Sequence, residues 1–106
     1  MAGISRKNDR SIRALLDALG AGYGTKHARA KIEVYRYNPG SIRVRITDPD
    51  FHGLTEVERE NAVWPILENL PDDVRSEISM LLLVTPNEPA ASLVNLEFDD
   101  PSPSRL

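Results

Sequence analysis

The chain of 106 residues contains no cysteine, and this absence excludes several kinds of chemistry. Without thiols it has no disulfide, no thiolate metal site and no cysteine nucleophile. Histidine occurs only twice, at His27 and His52, so imidazole groups are nearly as scarce. No apolar run approaches the roughly 20 residues that a membrane span needs, and the N-terminal segment lacks the apolar core of a signal peptide. We therefore expect a cytoplasmic protein with no membrane partner.

Charge is unevenly distributed along a chain of otherwise ordinary composition, with 27% charged and 41% hydrophobic residues. Residues 1–47 contain ten Lys or Arg and three Asp or Glu, whereas residues 48–106 contain three and thirteen. The interpretation that we favour is that the two halves attract each other within one fold. The alternative is a basic face that meets an acidic partner.

The first periodic segment predicts a short helix. Asn8 or Asp9 can cap it, and apolar residues follow at helical spacing at Ile12, Leu15, Leu16 and Leu19. Gly20 is expected to end the helix. The glycine-rich residues 20–24 resemble half of a phosphate loop, but such a loop follows a strand and opens a helix. We therefore predict a flexible connector.

Residues 28–47 have the alternation of a β-hairpin, with a tight turn at 38–41. One face carries the aliphatic side chains of Ala30, Ile32, Val34, Ile42, Val44 and Ile46. The opposite face is basic and bears tyrosine, with Arg29, Lys31, Tyr35, Tyr37, Arg43 and Arg45. Cations suit phosphates and tyrosines offer stacking surfaces to unpaired bases, so this face is a candidate binding site. The competing interpretation is an ordinary solvated sheet face.

Residues 55–70 carry the pattern of a capped amphipathic helix. Thr55 and Glu58 have the S/T-x-x-E spacing of a capping box. Apolar residues are then expected near one buried face, at Val57, Val63, Ile66, Leu67 and Leu70.

The other side of this helix is predicted to be charged and exposed, with Glu56, Arg59 and Glu60 turned away from the core. Trp64 is expected to be weakly covered. Pro65 removes a backbone donor inside the pattern, which predicts a kink or two short helices meeting near Trp64.

The C-terminal third begins with an acidic turn at Asp72-Asp73. Residues 78–84 form a continuous apolar run of strand length, for which a buried helix is the less favoured alternative. In the tail, residues 89–106, a period of two indicates a piece that either adds an edge strand over residues 93–98 or packs on the domain. We favour this intramolecular packing over the alternative, a peptide arm that docks on a partner.

The order of these segments predicts an α+β fold. It is a two-layer α-β-β-α-β domain, with a three-stranded mixed sheet and helices on one face. The helical connection between the second and third strands should be right-handed, which makes those strands parallel. The domain is assigned to residues 1–88, with residues 1–8 flexible, and is followed by the tail.

Residues 51–67 resemble the BolA-like family through the pattern F-x-G-x5-R-x3-V-x3-L. Phe51, Gly53, Arg59, Val63 and Leu67 stand at its positions. Thr85-Pro86-x-Glu88 is similar to the T-P-x-E after that family's last strand. The similarity covers about residues 9–88 and implies a fold akin to the type II KH arrangement.

The chain departs from this family at the positions that bind iron–sulfur clusters. The family's basic R-H-R triplet is Arg59-Glu60-Asn61 here, and residues 75–79 contain no histidine. The hairpin turn at 38–41 has neither histidine nor cysteine. Because cluster ligation needs imidazole or thiolate donors, the resemblance predicts the fold without the cluster. We expect no cofactor, no metal and no iron–sulfur cluster.

No residues form a recognisable catalytic pattern, and we predict that the chain is not an enzyme. His27 and His52 are interpreted as solvated loop residues, since a metal site would need a third and a fourth ligand. Asp48 and Asp50 flank a proline after a strand, and Asp48 is interpreted as a turn residue instead of part of an acid–base pair.

Two functions remain. The first is a protein-interaction module that binds its partner through the acidic helix, with Glu56, Arg59, Glu60 and Trp64, through the open sheet face or through the tail. The alternative is a nucleic-acid-binding module that uses the basic hairpin face. The negative net charge favours the first, as does the acidic link at residues 70–73, where a KH module has its G-x-x-G loop.

Overall fold

The computed structural model describes residues 9–88 and 93–103, so the prediction for residues 1–8 lies outside the described residues. In chain order the elements are α1 (Arg10–Leu19), β1 (Lys31–Asn38), β2 (Ser41–Thr47), α2 (Glu56–Leu67), α3 (Asp72–Arg75), β3 (Ile78–Val84) and α4 (Leu93–Asp99). The prediction of an α+β fold with a three-stranded mixed sheet is confirmed. None of the described helices is long and apolar enough to cross a membrane.

The sheet has the strand order β1-β2-β3. β1 and β2 are antiparallel, with Val34 opposite Val44, which confirms the predicted hairpin. β2 and β3 are parallel, with Val44 opposite Leu81, as expected for strands joined through a helical connection. Within the described residues β3 therefore pairs on one side only.

The core lies between one face of this sheet and helices α1 and α2. Ile42, Val44 and Ile46 are completely buried, and Ile32 and Val34 pack against the same cluster. The helices contribute the fully buried Leu15, Leu19, Val63 and Leu67. Helical spacing puts these four residues on the sheet-facing sides of α1 and α2, and alternation puts the aliphatic residues of the hairpin on one face of the sheet. The two apolar faces pack against each other.

α1 ends at Leu19 with Gly20 as its C-cap, as predicted, but residues 20–24 are not a flexible connector. Gly20–Gly24 continues α1 as a π-helical turn, in which Thr25 N–H donates to Gly20 O at 3.1 Å. Tyr23 is 2% exposed, and burying its ring keeps the turn in place. At Gly22 a Cβ would lie 3.0 Å from the side chain of Ile66, so this position allows α1 and α2 to approach closely.

α2 has the predicted capping box, with Glu58 N–H donating to Thr55 Oγ1 at 3.2 Å and Thr55 N–H to Glu58 Oε1 at 2.8 Å. It runs without interruption to Leu67, so the expectation of two short helices near Trp64 is wrong. Pro65 falls in the last turn of α2, where it removes one backbone donor without breaking the helix.

Val57 is 66% exposed and does not share the buried face of α2. At about 100° per residue, its position differs from that of Val63 by about 240°, which turns it away from the sheet. The predicted acidic turn at residues 72–73 is the single-turn helix α3.

The predicted edge strand over residues 93–98 is wrong, because these residues belong to helix α4. α4 packs on the sheet face opposite α1 and α2, so the tail adds a third layer to the two layers predicted for residues 1–88. Phe98 is 4% exposed whereas Leu96 is 50% exposed, so the period of two does not describe burial here. A helix satisfies its own backbone groups and can cover a sheet face without pairing with a strand edge.

Candidate interaction surfaces and a histidine–carboxylate cluster

The basic hairpin face is partly covered by α4 and the residues after it. Tyr35 Oη donates a hydrogen bond to Phe98 O at 2.8 Å, and the two rings pack edge to face with centroids 4.9 Å apart. Tyr37 Oη donates to Ser102 O. The two tyrosines that were predicted to stack on bases therefore contact the tail.

Arg43 is paired within the fold. Its Nη1 lies 2.9 Å from Glu97 Oε2, and its guanidinium carbon lies 3.7 Å from the centroid of the Tyr37 ring. A hydrogen bond from Ser102 N–H, together with Arg43, holds the pKa of Glu97 below its ordinary value. The charge of Arg43 is thus neutralised by α4 and stacked on a neighbouring ring.

Arg45 is paired even more extensively. Its guanidinium lies 2.9 Å from Glu33 Oε1 and 2.8 Å from Asp99 Oδ1, and it covers the Phe98 ring at 4.4 Å. Hydrogen bonds to Glu33 and Asp99 raise the pKa of Arg45, and Arg45 in turn lowers the pKa of Asp99. Only 12% of the Arg45 side chain is exposed, so it is not available as a phosphate contact while α4 is docked.

Arg29 and Lys31 remain exposed at one end of this face, with side chains 71% and 72% accessible. Four arginines of the basic half pair with carboxylates of the acidic half, in the pairs Arg29–Asp50, Arg36–Glu77, Arg43–Glu97 and Arg45–Asp99. These pairs confirm that the two oppositely charged halves attract each other within the fold.

The predicted partner helix is only partly an exposed acidic surface. Glu56 and Glu60 are exposed, and Trp64 is 40% exposed. Arg59 was expected to turn away from the core, and this expectation is wrong. Its Nη1 donates to Leu83 O at 2.9 Å, because that carbonyl faces away from β2 and has no strand partner among the described residues.

Arg59 also joins the two parts of the BolA-like pattern. Its Nη1 lies 2.6 Å from Glu88 Oε1, which accepts a further hydrogen bond from Thr85 N–H at 3.0 Å. Burial opposes ionisation of Glu88, but Thr85 N–H and Arg59 together bring its pKa below the ordinary value. This contact ties the start of α2 to the end of β3.

A groove of about 340 Å³ lies between the start of α2 and the outer edge of β3. Leu54, Glu56 and Glu60 line one side, residues 81–84 line the other, and the Arg59–Glu88 pair lies between them. Val84 O accepts from Asp48 N–H on the β2 side, whereas Leu83 O faces Arg59. Successive residues of a strand direct their backbone N–H and C=O groups to opposite sides. The groups of Leu81 therefore point to the same side as Leu83 O, toward the groove.

A cluster that the sequence analysis missed joins His27 to two carboxylates. His27 Nδ1 lies 2.8 Å from Asp50 Oδ2 and 3.4 Å from Asp48 Oδ2. The imidazole stacks on Tyr23 with ring centroids 4.0 Å apart, and Tyr23 Oη donates to Asp48 Oδ2 at 2.6 Å. The interpretation of His27 as a solvated loop residue is therefore wrong, whereas His52 is exposed.

Asp48 is a turn residue, as predicted, since its Oδ1 accepts from Asp50 N–H at 2.9 Å. It is also completely buried. Lys31 pairs with Thr47, which brings the residues before β1 beside those after β2. This register could be predicted from the hairpin pattern and puts residue 27 in the neighbourhood of residues 48–50, but the contact of His27 with the two carboxylates also requires the turns at residues 24–30.

Comparison of the chain with protein-family models, curated proteins and solved structures gave no match. Function is therefore inferred from the geometry of the groove and from the charges around it.

Proposed function

We propose that this chain is a non-enzymatic protein-interaction module that binds an extended basic segment of another protein in the groove between α2 and β3. The observation that carries the proposal is the outer edge of β3, which pairs with no strand among residues 9–88 and 93–103, beside two exposed carboxylates, Glu56 and Glu60.

An edge strand binds extended peptides because its free backbone groups add one more strand to the sheet. The backbone of Leu81 faces the groove and offers such groups. Leu54, 37% exposed at the groove, adds apolar contact area for a side chain of the bound segment. Main-chain pairing supplies affinity, and the side-chain contacts on either side supply specificity.

The charge of the groove selects a basic occupant. Arg59 and Glu88 neutralise each other, so the net charge of the lining comes from Glu56 and Glu60. Complementary charge increases the association rate and disfavours acidic competitors.

The scaffold is proposed to be BolA-like, and three features of the motif support this. Phe51 is 1% exposed and Arg59 lies 5.7 Å from the centroid of its ring. Gly53 has a φ of 81°, a conformation that favours glycine. The Arg59–Glu88 pair connects the two segments that resemble the family's motifs, residues 51–67 and 85–88, in space. Iron–sulfur ligation is not proposed, because the hairpin turn and residues 75–79 lack imidazole and thiolate donors.

Reversing both groove charges tests the proposal. We expect Glu56→Lys/Glu60→Lys to weaken binding of a fluorescein-labelled alternating Lys-Val peptide by about tenfold or more, because attraction becomes repulsion. Fluorescence anisotropy at several salt concentrations measures the change. The matched control is Asp17→Lys/Glu68→Lys, which reverses two negative charges at exposed helix positions outside the groove lining.

The mode of binding is tested with a second peptide, N-methylated at alternate residues. This peptide should bind more weakly, since it lacks the donors needed for strand addition. The proposal would be contradicted if the charge-reversed double variant bound the Lys-Val peptide as tightly as the wild type does. It would also be contradicted if the wild type bound a Glu-Val peptide as tightly as the Lys-Val peptide.

Nucleic-acid binding through the hairpin face remains the alternative function, and the exposure of Arg29 and Lys31 favours it. Phosphate contacts would make binding salt-dependent. We expect little binding of a labelled oligothymidylate at low salt, and no change in Arg29→Ala/Lys31→Ala. Salt-dependent binding that this double variant reduces would instead support the nucleic-acid function.

A further inference from the structure

We propose that His27, Asp48 and Asp50 form a binding site for a divalent transition-metal ion of the zinc class. The site shares no residue with the groove lining, and the proposal stands independently of the peptide-binding function.

The donor atoms have a spacing that suits a small ion. The ligand atoms of the three residues all lie within 4.8 Å of one another. Donors of a tetrahedral zinc ion, with bonds of about 2.0 Å, lie about 3.3 Å apart. His27 Nδ1 lies 2.8 Å from Asp50 Oδ2 and 3.4 Å from Asp48 Oδ2, values on either side of that spacing. An ion that replaces the proton of Nδ1 can therefore contact all three groups after small side-chain adjustments.

Two of the donors are oriented by neighbours, as metal ligands usually are. Asp48 is completely buried and receives hydrogen bonds from Tyr23 Oη and from Asp50 N–H. The stacked Tyr23 ring also fixes the plane of the His27 imidazole.

The third donor keeps the site open to water. Asp50 uses Oδ1 to pair with Arg29 at 3.0 Å, which leaves Oδ2 directed at His27. The side chains of His27 and Asp50 are 29% and 42% exposed. An ion held by three protein ligands would thus have water as its fourth ligand.

The donor types select the class of ion. One imidazole nitrogen and two carboxylate oxygens suit zinc and its first-row neighbours. Calcium prefers six to eight oxygen ligands and magnesium a nearly ideal octahedron of oxygens, neither of which three protein donors with one nitrogen supply.

Titration of the full chain with zinc chloride by isothermal calorimetry tests the site. His27→Phe removes the imidazole ligand while keeping a ring stacked on Tyr23, and we expect it to bind zinc at least about tenfold more weakly. Tyr23→Phe removes only the hydroxyl that orients Asp48 and is expected to cost about tenfold. The matched control is His52→Phe, which changes the exposed histidine and should leave the affinity unchanged.

Asp50→Asn provides a second test at an exposed side chain, where folding is not at risk. It should weaken zinc binding and reduce the visible absorption of bound Co²⁺, which reports the coordination of the ion. Circular dichroism establishes that each variant is folded. Wild-type zinc affinity in folded His27→Phe and Asp50→Asn, or an equal loss in His52→Phe, would overturn the proposal.

Discussion

Replacing Phe98 by alanine is expected to detach α4 from the sheet and to uncover the basic hairpin face. Phe98 is 4% exposed and contacts both the Tyr35 ring and the guanidinium of Arg45. Truncating a buried phenylalanine costs about 3–5 kcal/mol. A helix of seven residues has little stability of its own, so we expect undocking of α4 before the rest of the domain unfolds.

Hydrogen exchange at the amides of residues 95–99 measures this release, which should accelerate exchange there while leaving β1 and β2 protected. Leu96→Ala is the control on the same helix, because Leu96 is 50% exposed and its loss should change stability by less than about 0.5 kcal/mol. Protection of residues 95–99 that is unchanged in Phe98→Ala would show that ion pairs alone hold α4. The same variant should expose Arg43 and Arg45 to anionic ligands.

Replacing Arg36 by methionine is expected to lower the free energy of unfolding by about 2 kcal/mol at neutral pH, since it removes charge-assisted hydrogen bonds from two partly buried carboxylates. Arg36 donates to Asp9 at 2.6 Å, to Glu77 at 3.1 Å and to Pro39 O at 2.8 Å. It therefore connects the N-cap of α1, the residue before β3 and the hairpin turn.

The pH dependence of stability identifies these contacts. Arg36 lowers the pKa of Asp9 below its ordinary value of 3.8, and the Ser11 hydroxyl with Arg36 lowers that of Glu77 below 4.5. Both carboxylates are charged more readily when folded, so their contribution is present above about pH 4.5. It is lost as the pH falls through the lowered folded values.

Chemical denaturation between pH 7 and pH 3 should therefore show a smaller loss of stability in Arg36→Met than in the wild type. Arg75→Met is the control, since Arg75 pairs with the exposed Asp72 on the same short helix and should cost under about 1 kcal/mol. A pH profile of Arg36→Met parallel to that of the wild type would show that Arg36 does not act through these two carboxylates.

Local patterns were sufficient for the elements that depend on near neighbours. The hairpin followed from alternation around a four-residue turn, and the start of α2 followed from the Thr55–Glu58 spacing. Periodicity failed to predict the element type where the apolar residues of one segment fitted both the period of a strand and the period of a helix. In the tail, Leu96 and Phe98 fit a strand, yet only Phe98 is buried and the segment is helical.

The exposed carboxylates of the groove, Glu56 and Glu60, could be predicted from helical periodicity. The groove itself could not, because it requires β3 to lie at an edge of the sheet and Arg59 to turn toward Leu83 O. His27 was likewise interpreted as solvated because its carboxylate neighbours are distant in the chain.

Sequence patterns alone were enough to predict the hairpin, the capped helix and the attraction between a basic and an acidic half. These features arise from side-chain periodicity, from caps and from net charge, all of which are properties of segments. Three features became evident only in the folded structure: α4 covers the tyrosine and arginine face, β3 has no strand on its outer edge in the part of the chain that the structure describes, and His27 contacts Asp48 and Asp50. Each of these depends on which surfaces remain after the core has formed, because a side chain's partners are set by packing between segments that are remote in sequence.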